Sequence, residues 1–194
     1  MKVTALIPIK YNSERVKGKN FKDFCGKPLL RWVIDTLISS EKINKIVINT
    51  DARDVLEKEG LNDESKIILR DRKQELCGDF VSTNLIAEDD INYISSDIYL
   101  MTHTTNPLLS LKSIEQSIET FSDALKTNKY DSLFTVNKIQ TRFYDKNVKP
   151  LNHDPDNLIR TQDLEPWYEE NSNLYLFTKE GFHKTRSRIG SNPM

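Results

Sequence analysis

The chain is poor in cysteine, has no long apolar run, and shows no excess of charge of either sign. Cys25 and Cys77 are the only cysteines among 194 residues, too few for a disulfide framework, and no Cys-x-x-Cys pair exists for zinc or thiol redox chemistry. Both are expected to be reduced. The first apolar run, Val3 to Ile9, has seven residues and is interrupted by Thr4 and Pro8. A membrane span needs about 20, and Met1-Lys2 leading straight into such a run is no signal peptide. With 28 Lys+Arg against 29 Asp+Glu the formal net charge is −1, without the basic surplus of a nucleic-acid binder. A Walker A loop and a G-x-G-x-x-G fingerprint are both missing, which removes the two commonest phosphate-binding signatures. No internal repeat or low-complexity tract is present. These absences lead to the expectation of a cytoplasmic protein with no nucleic-acid or membrane partner.

What is present suffices for a core: 37% hydrophobic residues, including 8 Phe, 7 Tyr and 2 Trp, in a length suited to one domain. Short strand-like runs at Val3–Ile9, Lys45–Thr50, 66–70 and 97–102 alternate with helical periodicity at 28–39, 52–59, 82–94 and 110–125. In the first helix Leu29, Leu30, Val33, Ile34, Leu37 and Ile38 fall on one side, and Pro28 suits its first turn. Alternating strands and helices predict an α/β fold with a mostly parallel sheet covered on both faces. A further strand is read at 131–138, then a polar, proline-bearing excursion at 141–170, a strand at 173–177, and a last helix from Thr178. The expected organisation is a single domain over 1–194, with a core of 1–140 and 173–194 and an arm at 141–172.

Chemistry is expected where the first strand ends. Lys10-Tyr11-Asn12-Ser13-Glu14-Arg15-Val16-Lys17-Gly18-Lys19-Asn20 puts four cations, a hydroxyl and a glycine at the C-terminal end of that strand. Sheets of this kind hold phosphate-bearing ligands on that edge. Lysine and arginine there suit a triphosphate and the charge on departing pyrophosphate. On composition alone the same stretch also reads as a solvated turn.

The segment IPIKYNSERVKGKNFKDFCGKPLLRWVID resembles the opening of the sugar-acid cytidylyltransferases, comprising the acylneuraminate (CMP-sialic acid) synthetases and the related 3-deoxy-manno-octulosonate enzymes. Ile7-Pro8-Ile9-Lys10, Ser13, Lys19-Asn20 and Gly26-Lys27-Pro28-Leu29 stand where that family has "IPAR", a serine, Lys-Asn and "GKPL". Asn49-Thr50-Asp51 is similar to "STD". Leu69-Arg70, Glu75-Leu76, Asp79 and Ser82-Thr83 are similar to "LRPxELAxDxxSS", and Thr105-Asn106-Pro107-Leu108 to "TSPL". Arg160 to Gln162 resembles "RQQ", and Glu170-Asn171-Ser172 with Leu174-Tyr175 resembles "ENGxxY".

The resemblance implies the Rossmann-like nucleotide-diphosphosugar-transferase fold, CTP and a sialic-like sugar acid as substrates, pyrophosphate as product, Mg²⁺ or Mn²⁺ as cofactor, and a homodimer built through the arm. Carried over by position, Lys19, Arg15 and Lys10 are the catalytic candidates. Lys10, Ser13, Lys19, Asn20, Arg70 and Ser82 would hold the nucleotide. His103, Thr105, Arg160, Gln162, Asn171 and Tyr175 would face the sugar. Asp51 and Asp79 are the metal candidates. Structural alternatives stay open for several: Ser82 as a helix cap, Asp51 as a cap of the following helix, Arg70 in a surface pair, Tyr175 in the core, His103 as a structural histidine or a base.

Three departures stand out. Lys10 occupies an arginine position of the family, Leu109 occupies the arginine position of "TSPLR", and residues 178–194 hold no "DID"-type acidic motif, only Glu180. The expectation drawn from the last is a shortened chain of weak turnover. Two other readings are transfer to 3-deoxy-manno-octulosonate, and a nucleotide-binding or oligomerising protein with impaired catalysis.

Overall fold

The computed structural model describes residues 1–194 in two compact units, one of 1–134 with 173–194 and the other of Thr135–Ser172. In chain order the regular elements are β1 (Val3–Ile9), β2 (Asp23–Phe24), β3 (Lys27–Pro28), α1 (Leu29–Ser39), β4 (Lys45–Thr50), α2 (Arg53–Lys58), β5 (Ile67–Asp71), α3 (Thr83–Tyr93), β6 (Ile98–Met101), α4 (Leu111–Lys126), β7 (Ser132–Ile139), β8 (Trp167–Phe177) and α5 (Lys179–Thr185). No helix is long and apolar enough to cross a membrane.

The main sheet has the order β5-β4-β1-β6-β8-β7. The β1/β4, β4/β5 and β1/β6 pairs are parallel and β6/β8 is antiparallel. Alternation along β1 explains why the sheet needs cover on both sides. Val3, Ala5, Ile7 and Ile9 pack with Leu30, Val33, Ile34 and Leu37 of α1 and Ile114, Ile118 and Phe121 of α4. Leu6 faces the other way, with Ala87 and Ile91 of α3, Tyr99, Met101, Tyr175, Phe177 and Phe182. The doubly wound α/β expectation is met.

Two details were not legible. The small hairpin β2/β3 turns through Cys25 and Gly26, both at positive φ (55° and 94°), the left-handed geometry of a two-residue turn. The last main strand begins at Trp167, six residues before the expected start, and contains Ser172 at φ 55°. Its first part, Trp-Tyr-Glu-Glu-Asn-Ser, has no apolar alternation to signal a strand.

The Thr135–Ser172 unit has its own packing. Phe143 and Trp167 stack with centroids 4.9 Å apart, the Gln140 amide donates to the carbonyls of Gln162 (2.9 Å) and Leu164 (2.7 Å), and Asn152 ties Thr141 to Phe143.

Candidate active site

The sheet changes direction at β1. β4 and β5 lie to one side and β6 to the other, so a crevice opens at the C-terminal ends of β1 and β6. That is the place where a doubly wound sheet binds ligands. An open cleft of about 240 Å³ sits there. Pro8, Lys10, Ser13, Lys19 and Asn20 line it from the β1 side, His103, Thr104 and Thr105 from the β6 side, and Arg72, Gly78 and Asp79 from the segment after β5. The structure thus brings together seven of the residues singled out in the sequence: Lys10, Ser13, Lys19, Asn20, Asp79, His103 and Thr105.

Gly18, at φ 61°, lets the loop enter a one-turn 3₁₀ helix of Lys19–Phe21. This turns Asn20 inward, where it is 5% exposed. Its Nδ2 donates to the carbonyl of Lys10 (2.9 Å) and its Oδ1 accepts from the Thr104 hydroxyl (2.7 Å). Asn20 therefore braces the two loops across the crevice. Its amide is committed to protein, a departure from the expectation that it holds cytidine.

The electrostatics are those of an anion site. The Lys19 ammonium is held below its ordinary pKa by partial burial and then by the like charges of Arg15 and Lys10. An incoming polyanion relieves that crowding. Arg15 itself is exposed. Lys10 pairs with Asp79, whose carboxyl is held below the usual range by that hydrogen bond. Burial, and then the charges of Arg188 and Lys19, push the His103 imidazole down to about 4, so it is neutral at pH 7.

Arg72 was missed in the sequence and is the deepest cation of the cleft. Its side chain folds back over the strand ends. Nη2 donates to the carbonyls of Ile9 (3.1 Å) and Asn49 (2.7 Å), and Nε to Asn49 Oδ1 (3.1 Å), while Nη1 takes no protein partner. Burial lowers its pKa, against the pull of Asp51. The signal was present: the motif "LRPxE" sets its arginine three residues before the glutamate, and counting back from Glu75 gives Arg72.

Arg70 is the correction. Its guanidinium is clasped by Asp89 (2.9 Å) and Asp90 and lies over the Tyr93 ring at 4.2 Å, because residue 70 lies within the sheet and residue 72 just beyond its end. Ser82 caps α3, its hydroxyl accepting from Asn84 N–H at 3.3 Å, while the flanking Val81 and Thr83 line the cleft. Tyr175 is fully buried in the core, with the Arg188 guanidinium 4.2 Å over its ring. Arg160 pairs with Asp163 (2.6 Å), Gln162 is exposed, and Asn171 accepts from Thr135 (2.7 Å), all inside the Thr135–Ser172 unit.

The protein side chains alone form no ready-made cage for a divalent cation, and a Mg²⁺ ion here would lean on substrate phosphates for its ligands. Asp51 accepts the Tyr11 N–H (2.7 Å), Asp79 is paired with Lys10, and no group of three or more His, Cys, Asp or Glu side chains could hold a metal.

A family model described as cytidylyltransferase matches residues 4–192. The chain is 25% identical over 193 residues to a pseudaminic acid cytidylyltransferase of Campylobacter jejuni subsp. jejuni serotype O:2, covering 94% of this chain and 81% of that protein. It is 24% identical over 199 residues to an N-acylneuraminate cytidylyltransferase of Streptococcus agalactiae serotype III, covering 96% of this chain and 46% of that protein, less than half its length. Among solved structures it superposes on a CMP:2-keto-3-deoxy-manno-octonic acid synthetase complexed with CTP at a TM-score of 0.66 and 16% identity, over 93% of this chain and 75% of that one.

Proposed function

Because the chain belongs to the cytidylyltransferase family, we propose that it transfers the cytidylyl group of CTP to a sialic-like, nonulosonic sugar acid. The oxygen of the sugar's anomeric hydroxyl bonds to the α-phosphorus, the bond from that phosphorus to the bridging oxygen breaks, pyrophosphate departs, and the hydroxyl proton passes to solvent. The observation that carries this reading is the pair Lys10 and Lys19 in the lining of the crevice, with the Lys19 ammonium depressed by partial burial and then by the like charges of Arg15 and Lys10. The named activities of the Campylobacter and Streptococcus relatives support the sugar class.

In this reading Lys19, Arg15 and Lys10 take up the charge that gathers on the leaving pyrophosphate, Ser13 donates beside them, and Arg72 offers Nη1 to the nucleotide. Asn20 keeps the two loops in register. His103 is a neutral hydrogen-bonding wall of the cleft, since a group titrating near 4 is a poor store for a proton at pH 7. Thr105, in the lining of the cleft, faces the sugar; Arg160, Gln162 and Asn171 belong to the Thr135–Ser172 unit, where Arg160 is paired with Asp163. The Thr135–Ser172 unit serves as the contact of a homodimer, its exposed Tyr144, Trp167 and Tyr168 supplying anchors.

The test is pyrophosphate release from CTP offered with a panel of eight- and nine-carbon keto-sugar acids, Mg²⁺ being supplied as counter-ion of the nucleotide. Release with a nine-carbon acid is expected. Release with 3-deoxy-manno-octulosonate alone overturns the substrate class, and CTP binding without release for any acid overturns the transfer.

A further inference from the structure

Behind Arg72 runs a chain of buried polar groups that the transfer chemistry does not use. Asn49, at the end of β4, is 0% exposed, and Asp90, on α3, is 1% exposed. The Asn49 amide donates from Nδ2 to Asp90 Oδ1 (2.8 Å) and accepts at Oδ1 from Arg72 Nε (3.1 Å). Asp90 Oδ1 also receives Arg70, while its Oδ2 is buried with no hydrogen-bond partner.

Pairing Arg70 does not require this second acid. Asp89 already meets Arg70 at 2.9 Å and is itself met by Lys73 at 2.7 Å. A second carboxylate buried among these groups is costly, and burial raises the Asp90 pKa to about 6 despite Asn49 and Arg70. What it adds is direction. An amide has a donor end and an acceptor end. A group that only accepts, set against one end, forces Nδ2 towards it and turns Oδ1 to the guanidinium. Without that acceptor the amide is free to rotate and present N–H to N–H.

The geometry points to Asp90 as a positioning residue: through Asn49 it orients the Arg72 guanidinium in the nucleotide cleft, although it touches no substrate itself. This rests on the reading of the cleft as the CTP site, and the experiment separates the two. CTP affinity is measured by titration calorimetry at pH 7.5 for the 194-residue chain and its Arg72→Ala, Asp90→Ala, Asn49→Ala and Asp90→Asn variants, with thermal melts to establish that each is folded. Arg72→Ala is expected to weaken CTP about tenfold or more, the loss of a charged donor. Asp90→Ala and Asn49→Ala are each expected to weaken it about fivefold, the weight of about one hydrogen bond. Asp90→Asn keeps an acceptor oxygen at the point where Arg70 and Asn49 both donate; the Arg70 guanidinium holds that oxygen in place, so this variant is expected to bind within twofold of the parent. In the Arg72→Ala background, Asp90→Ala should add nothing, a coupling that a general loss of stability would not produce.

Unchanged affinity in Arg72→Ala overturns the reading of the cleft and this inference with it. Weakening by Arg72→Ala, with Asp90→Ala and Asn49→Ala both neutral or additive to it, overturns this inference alone. If Asp90→Ala does not fold, Asn49→Ala and its cycle with Arg72→Ala decide the matter.

Discussion

At the scale of single residues, two buried ionisable groups work against each other. His103 titrates near 6.5 when unfolded and about 4 when folded. Between those values the unfolded chain binds the extra proton, so this contribution to stability is complete above pH 6.5 and is lost as pH falls towards 4. Asp90 runs the other way. Its folded value, about 6, lies above the ordinary 3.8, so its contribution is complete below pH 3.8 and is lost as pH rises through 6. Between pH 4 and 6 the two slopes, each at most about 1.4 kcal/mol per pH, largely offset. Urea unfolding across pH 4 to 7 should expose them one at a time. His103→Asn is expected to lose stability as pH rises from 4 to 6, and Asp90→Asn to gain it; curves parallel to that of the parent would contradict both assignments.

The elements that frame the cleft owe their positions to short local signals. Ser82 starts α3 by taking the Asn84 N–H. Ser82→Ala is expected to cost about 1 kcal/mol of stability, the worth of a cap, with CTP affinity within twofold; a tenfold loss of affinity in titration would return Ser82 to the nucleotide. Much of this scaffold was legible. Apolar runs such as Val3–Ile9 and Lys45–Thr50 announced buried strands because both faces of the sheet are covered. The exposed first half of β8 carries no such pattern, and the turn at Cys25-Gly26 depends on backbone angles that its residue types signal weakly. Side-chain direction was least accessible. Arg70 and Arg72 are two residues apart, yet one is clasped by acids of α3 and the other reaches over the strand ends into the cleft.

For the whole molecule, strand order is the decisive feature. A sheet that winds both ways from β1 leaves one crevice at its C-terminal edge, and the loop carrying Lys10, Ser13, Lys19 and Asn20 empties into it. Sedimentation is expected to show a dimer at micromolar concentration and a monomer for Tyr168→Glu, since residue 168 is 62% exposed on the Thr135–Ser172 unit; a parent chain that stays monomeric would contradict the assembly. The claim on which the rest depends is that the cationic loop grips the nucleotide's phosphates. The most direct measurement is calorimetric titration of CTP into the parent chain and into Lys19→Met, which keeps the length of the side chain and removes its charge. Saturable binding by the parent and an affinity about tenfold or more weaker in a folded Lys19→Met protein is the expected result; equal affinity in the two would contradict it.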